Sequence, residues 1–414
     1  MSPRLTANHS LAEWLEHILA LHPSEIDLGL DRLRHVAQRM ALLSLPNSTV
    51  ITVAGTNGKG TSCALLEQIL SQAGYRVGVF SSPHIERYNE RVRIDGQELP
   101  DQAHVDAFNA IASAQQRTSL TFFEYSALGA LWLFAQHQPD VVLLEVGLGG
   151  RLDATNVIDT DLALITTIDL DHQEYLGDSR DSVAVEKAGI MRANTPAVCG
   201  DPKPPQTLFD AAKQHQADLL CRDRDFSVTR TDTTWQLQLG SQQWQQLPLP
   251  AIPLDNAAAV VVALQQLPLA ISDAAIRAGL AQVSVPGRLE RLGNNLVLDV
   301  AHNPQAARYL AQWLQQQQAS KVIAVCAMLG DKDMRNSVAP LLPLVDSWYT
   351  APLNVPRAAD AATMQQLLPQ AICCDSVAAA IEQACAVARE TDLVILFGSF
   401  YTVAQAKQYW RQRR

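Results

Sequence analysis

The chain has 414 residues, of which 48% are hydrophobic and 18% charged, and it carries a net charge of −10. That length exceeds the size at which a single core stops growing, so two domains are expected, and the composition excludes a disordered or fibrous chain. The acidic balance argues against a nucleic-acid backbone as partner and requires local positive charge wherever phosphate is to be held.

The first residues show no apolar signal core, and no later run approaches the ~18 apolar residues that span a bilayer, so a soluble, cytoplasmic protein without membrane partners is expected. The apolar run Thr49–Ala54 predicts a strand. It leads into Gly55-Thr56-Asn57-Gly58-Lys59-Gly60-Thr61, and a helix should follow, because Leu65, Leu66, Ile69, Leu70 and Ala73 recur on one face. Strand, glycine loop and helix together make a phosphate cradle. The glycines let successive N–H groups face one anion, Lys59 adds a point charge, the helix presents its positive end, and Thr61 is placed to hold Mg²⁺. The segment departs from G-x-x-x-x-G-K-[ST] twice: Val occupies position 53, and Gly60 separates the lysine from the hydroxyl.

Arg76–Phe80 predicts a second strand closed by Ser81-Ser82-Pro83-His84, and Leu128–Phe134 belongs to a helix. Val141–Val146 and Leu162–Thr167 are apolar on both faces, as in central parallel strands covered by helices. Residues 226–229 and 235–239 alternate by twos and predict a hairpin at a sheet edge. The glutamine-rich patches 242–246 and 315–318 read as polar loop or solvated helix face. Helices are expected at 256–264 and 276–280. After Val285-Pro286-Gly287 the pattern restarts: a hairpin about Gly293-Asn294-Asn295, then strands at 296–300, 321–327, 347–351 and 393–397 alternating with helices. The expected fold class is α/β, with domains at 1–285 and 286–414.

In open parallel sheets ligands bind beyond the carboxyl ends of the strands, so polar residues there are the candidates for chemistry. Besides the loop and Ser82, these are Glu145, set in an apolar strand before Gly147-Leu148-Gly149-Gly150, and Asp169-Leu170-Asp171-His172. A carboxylate in Glu145's position needs a partner, either an arginine or Mg²⁺ bridging nucleotide phosphates. His172 reads equally as a ligand or as an ordinary histidine. Seven cysteines without a C-x-x-C pair argue against a disulfide framework or a thiolate zinc site.

These segments occur in order with Glu145–Asn156, Asp171-His172, Glu186-Lys187-Ala188-Gly189-Ile190, Pro286-Gly287-Arg288 and Asp299-Val300-Ala301-His302-Asn303-Pro304. Together they resemble the bacterial dihydrofolate synthase/folylpolyglutamate synthases of the Mur ligase superfamily over nearly the whole chain. The resemblance implies a P-loop-containing N-terminal ATP-binding domain and a smaller Rossmann-like C-terminal domain that close on each other. The implied chemistry is ATP-dependent ligation of L-glutamate to dihydropteroate, tetrahydrofolate and its derivatives by a monomer. It assigns ATP to Asn57, Gly58, Lys59, Gly60, Thr61, Asn256, Arg288 and Asp299, and one Mg²⁺ to Ser82 and Glu145. A second Mg²⁺ falls to His172 and to Lys187 carboxylated as a carbamate, which makes Lys59, His172 and Lys187 the catalytic residues. The pterin would lie near Asp27, Leu28, Thr121, Phe122, Phe123, Leu152, Asp153 and Ala154. His302 and Ser399 stay open between glutamate contact and structural role. Two alternatives share the loop: a Mur-type ligase acting on a UDP-muramyl substrate, and a nucleotide-switched binding protein, which would need an N-K-x-D segment that does not occur.

Overall fold

The computed structural model describes residues 6–24, 26–355 and 357–413. The chain forms two compact units, Met1–Val283 and Ser284–Arg414. In the first, strands β1 (Thr49–Ala54), β2 (Val77–Phe80), β3 (Val92–Ile94), β4 (Gln97–Glu98), β5 (Val141–Glu145), β6 (Leu162–Ile165), β7 (Pro196–Cys199) and β8 (Asp218–Cys221) build one sheet. Its order is β4-β3-β2-β5-β1-β6-β7-β8, parallel from β2 through β8, with β3 and β4 added antiparallel at one edge. The continuous apolar runs of β1, β5 and β6 are thus the inner strands.

The helices of this unit are α1 (Leu11–Leu21), α2 (Asp31–Arg39), α3 (Lys59–Gln72), α4 (Asp101–Gln115), α5 (Phe122–His137), α6 (Gln173–Leu176), α7 (Arg180–Ala188), α8 (Gln206–His215), α9 (Leu254–Gln265) and α10 (Asp273–Gln282). Helices α1, α2, α4 and α5 share one core with Phe80, Val142 and Leu144 of the sheet. Helices α7 and α8 share another with Ala163, Ile165, Ala197 and Cys199. Side chains alternate along a strand, so Ile51, Val53 and Leu143 turn to the other face, and α3 and α9 pack on the sheet there.

Strands β9 (Phe226–Arg230), β10 (Thr234–Leu239) and β11 (Gln242–Pro248) form a separate antiparallel sheet. The expected hairpin is present, but it extends no edge of the main sheet. The patch 242–246, expected as loop or helix face, is its third strand. Only Trp235, Leu237, Leu247 and Phe226 of this sheet are fully buried, so most of β11 meets solvent and needs no apolar alternation.

In the second unit β12 (Glu290–Leu292), β13 (Leu296–Leu298), β14 (Val322–Cys326), β15 (Ser347–Thr350), β16 (Ile372–Cys373) and β17 (Leu393–Phe397) form a sheet ordered β12-β13-β17-β14-β15-β16. All its pairs are parallel except the β12–β13 hairpin. Helices α11 (Pro304–Gln315), α12 (Met334–Val338), α13 (Ala361–Leu367), α14 (Val377–Val387) and α15 (Phe400–Gln412) accompany it. The whole chain is therefore α/β. No described helix is long and apolar enough to cross a membrane.

Candidate active site

The order of the main sheet sets the carboxyl ends of β2, β5, β1 and β6 side by side, and each carries one of the expected polar groups. At the centre the loop after β1 enters α3 through Gly58, whose φ of 90° belongs to the left-handed region. A Cβ there would stand 2.2 Å from Asn256 Nδ2, so glycine is needed for conformation and for the close approach of α9. Lys59 Nζ donates to Gly55 O (2.9 Å) and Thr56 O (3.4 Å), curling the charge over the loop. Thr61 is buried; its hydroxyl donates to Gly58 O (2.9 Å) and accepts from Asn256 Nδ2 (3.2 Å). That hydroxyl also shapes the loop.

The loop is tied to the end of β6. Thr56 N–H donates to Thr167 O (2.8 Å), Thr166 and Thr167 hydroxyls donate to Asn57 O (2.6 and 3.1 Å), and Asn57 N–H donates to Thr167 Oγ1 (3.1 Å). The Thr56 hydroxyl donates to Asp169 O (2.8 Å) and accepts from Asp169 N–H (3.0 Å). These bonds, which no motif announces, deliver the segment 169–172 to the loop. His172 then caps α6 in a left-handed conformation with its side chain exposed.

Glu145 ends β5 buried, and its Oε2 accepts the Ser82 N–H at 3.2 Å, joining the ends of β2 and β5. A Cβ on Gly60 would stand 3.5 Å from Glu145 Oε1, so this carboxylate faces the start of α3. Lys187, on α7, is 2% exposed. Burial, reinforced by the charge of Lys59 and opposed by Asp171 and Glu186, pushes its amine down to about 7. The chain after β5 reaches α7 through Gly150, where a Cβ would lie 2.8 Å from Glu186 O.

The residues expected around a pterin also converge. Arg32 pairs with Asp27 (2.5 Å) and with Glu124 (3.0 Å), which closes a capping box with Thr121 at the start of α5. Leu28 lies beside Asp27 in the half-buried segment before α2. Phe123 packs on Phe80, ring centroids 5.8 Å apart, and the Arg91 guanidinium lies 5.1 Å above the Phe122 ring. Leu152 is partly exposed, whereas Asp153 and Ala154 are buried. Asp153 accepts from Gly147 and Leu148 N–H (3.0 and 2.8 Å) and from the Thr155 N–H and hydroxyl (3.0 and 2.7 Å). Its carboxylate organises the loop after β5, and burial pushes its pKa up against those bonds. Asp153→Asn leaves one acceptor for these donors and is expected to destabilise the fold by about 1–3 kcal/mol, measured by urea unfolding; an unchanged midpoint would remove this role.

In the second unit Asp299 follows β13 and accepts from Leu289 N–H (2.9 Å) and Ala301 N–H (2.7 Å). Burial raises its pKa, and Arg288 opposes the rise. Arg288 stacks 5.6 Å from the Phe400 ring, and the His302 ring lies 6.1 Å from the same phenylalanine. Ser399 is buried as the N-cap of α15, its Oγ accepting from Thr402 N–H at 3.0 Å, which favours the structural reading.

Residues 53–217 match the Mur ligase middle domain, and residues 287–400 match the Mur ligase, glutamate ligase domain. The dihydrofolate synthase/folylpolyglutamate synthase of Escherichia coli (strain K12) is 47% identical over 98% of this chain and 96% of its own. The chain belongs to this synthase family. Among solved structures, E. coli FolC in complex with DHPP and ADP superposes with a TM-score of 0.97 at 47% identity, covering 99% of this chain and 100% of that one. A bifunctional folylpolyglutamate synthase/dihydrofolate synthase with Mn, AMPPNP and L-glutamate bound gives 0.94 at 47%, with coverage of 99% and 100%.

The residues here fit the divalent metal of such a synthase. Glu145 offers a hard carboxylate oxygen where the first turn of α3 begins, and Ser82, a hydroxyl-bearing residue, is tied to it through its N–H. Among the described residues no cluster of three or more His, Cys, Asp or Glu side chains could hold a metal ion. Few protein ligands, completed by phosphate oxygens and water, are the donor set that Mg²⁺ prefers.

Proposed function

We propose that this protein ligates L-glutamate to dihydropteroate, giving dihydrofolate, and to tetrahydrofolate and its derivatives, giving folylpolyglutamates, with ATP converted to ADP and phosphate. The observation that carries this reading is the convergence of the Gly55–Thr61 loop, the Ser82–Glu145 pair and the Lys187 helix at one end of the sheet, in a chain 47% identical to the E. coli synthase along its length. That likeness favours the folate branch over a UDP-muramyl ligase and an enzyme over a nucleotide switch.

The substrate carboxylate is a poor acylating agent. One of its oxygens attacks the γ-phosphorus of ATP, ADP leaves, and an acyl phosphate results. The glutamate amine then adds to the acyl carbon, the C–O bond to phosphate breaks, and the amine gives up a proton. Lys59 and the N–H groups of residues 57–60 stabilise the charge that spreads over the transferred phosphoryl group. Asn256, Arg288 and Asp299 are assigned to the nucleotide, Asp299 through the backbone it holds. Ser82 and Glu145 would hold one Mg²⁺, and His172 with the Lys187 carbamate a second; the ions supply charge neutralisation and orientation of phosphates. No protein nucleophile is required, and the pterin is assigned to the surroundings of Asp27, Leu28, Thr121, Phe122, Phe123, Leu152, Asp153 and Ala154. The functional unit is a monomer.

An ADP-release assay tests this reading. Release is expected with dihydropteroate or tetrahydrofolate only when L-glutamate is added; dependence on a UDP-muramyl acceptor would overturn it. Since the chain has one phosphate loop and one Glu145, the two pterins should compete. Glu145→Gln is expected to lower both activities together, and loss of one with the other intact would require two sites.

A further inference from the structure

Arg93 lies on β3, outside the set of residues assigned above, yet its side chain is three-quarters buried and reaches toward the active site. We propose that Arg93 is a positioning residue for the Ser82–Glu145 pair, fixing the turn that carries Ser82 and keeping the neighbouring Glu67 carboxylate engaged. The inference rests on the metal assignment to Ser82 and Glu145.

Three elements meet at this guanidinium. Nη2 donates to Glu67 Oε2 on α3 at 2.8 Å, while Nη1 donates to Ser81 Oγ at 3.2 Å and to Glu90 O at 3.1 Å. Ser81 is the residue before Ser82, and its N–H donates to Arg91 O at 2.9 Å, so the β2–β3 pairing runs on to the edge of the site. Glu90 is itself immobilised, accepting the N–H groups of Ile85, Glu86 and Arg87 at 2.7, 2.8 and 2.7 Å. The Ser82 turn is therefore held on one side by Glu145 and on the other by a fork anchored in α3, the helix that starts at Lys59. A planar guanidinium spreads its donors over separate nitrogens and so reaches Glu67 from one and Ser81 and Glu90 from the other; an ammonium has three donors, but on a single atom, and cannot span the same fork.

The electrostatics point the same way. Cys63, buried on α3, lies within electrostatic reach of Glu145, Arg93 and Glu67. The Oε1 of Glu67 is buried with no hydrogen-bond partner, so Arg93 is the group that neutralises this carboxylate. With Arg93 absent, Glu67 becomes a second buried anion near Glu145, and the Ser81–Ser82 turn loses its rear support.

Removing Arg93 alone strands Glu67 and endangers the fold, so the test uses the double variant Glu67→Met/Arg93→Met, which removes both charges at similar volume. Mn²⁺ binding to the full-length protein in the presence of ADP, followed by the electron paramagnetic resonance of free Mn²⁺, gives a readout independent of turnover. The double variant is expected to melt within a few degrees of the parent, to bind Mn²⁺ about tenfold more weakly, and to regain its kcat at high Mg²⁺ with a raised KM for the metal. Arg93→Lys, which keeps the charge without the fork, should fall between the two, and it carries the test should the double variant fail to fold. Parental Mn²⁺ affinity in these variants while Glu145→Gln loses it would overturn the role of Arg93 alone. Parental affinity in Glu145→Gln would overturn the metal assignment, and this inference with it.

Discussion

Lys59→Ala is expected to lower kcat by about 10²–10³-fold, the loss that follows removal of one preorganised donor from a developing oxyanion. Lys59 lies at the first turn of α3 with its ammonium folded over the loop carbonyls, so its charge is in place before the γ-phosphoryl group begins to move. The pterin residues hang on other elements: Arg32 and Glu124 hold Asp27 and the start of α5, and Phe123 rests on Phe80. Pterin binding, followed by fluorescence, should therefore persist in the variant. Turnover within a few-fold of the parent at saturating ATP would dismiss Lys59 from this role.

The second large effect is expected at Lys187. A cationic amine buried beside Lys59 opposes any metal held by His172, whereas the neutral amine is the form that reacts with CO₂. In the proposed carbamylation the Nζ lone pair would add to the carbon of CO₂ and one N–H proton would leave to solvent, converting a would-be cation into an anionic pair of oxygens suited to Mg²⁺. Lys187→Ala should be nearly inactive, partly recoverable with short carboxylates that occupy the space left by the side chain, and the parent incubated with ¹³CO₂ should show a carbamate carbon resonance that the variant lacks. Parental activity in Lys187→Ala would sink the proposal.

The strand, loop and first turn at 49–61 were legible because their signals are local: an apolar run, glycines, and a helical period. Glu145 was legible for the opposite reason, as the one charge at the end of an apolar strand. What stayed hidden depends on long-range pairing. The Thr166, Thr167 and Asp169 bonds to the loop join residues more than a hundred positions apart, and nothing in either segment alone specifies the other. Arg93 was missed because β3 is three residues long, too short for a period to show. Asn256 reached the candidate set as an ATP contact through family likeness alone; what the structure shows of it is a packing role, a side chain standing where a Gly58 Cβ would be. The third strand of the small sheet failed for want of burial: along 242–246 no side chain is fully buried, so glutamines serve as well as valines and the pattern vanishes.

The bonds between the loop after β1 and the end of β6 have a consequence for the energetics of association. A glycine loop left to itself would sample many shapes and would have to be immobilised by the incoming nucleotide, at the expense of affinity. Here part of the ordering cost is incurred when the sheet folds, since Thr56 and Asn57 are held by Thr166, Thr167 and Asp169. Distorting the cradle means breaking its bonds to the chain that leaves β6, an interior strand, so the loop is braced by the sheet and that share of its ordering does not fall on the nucleotide.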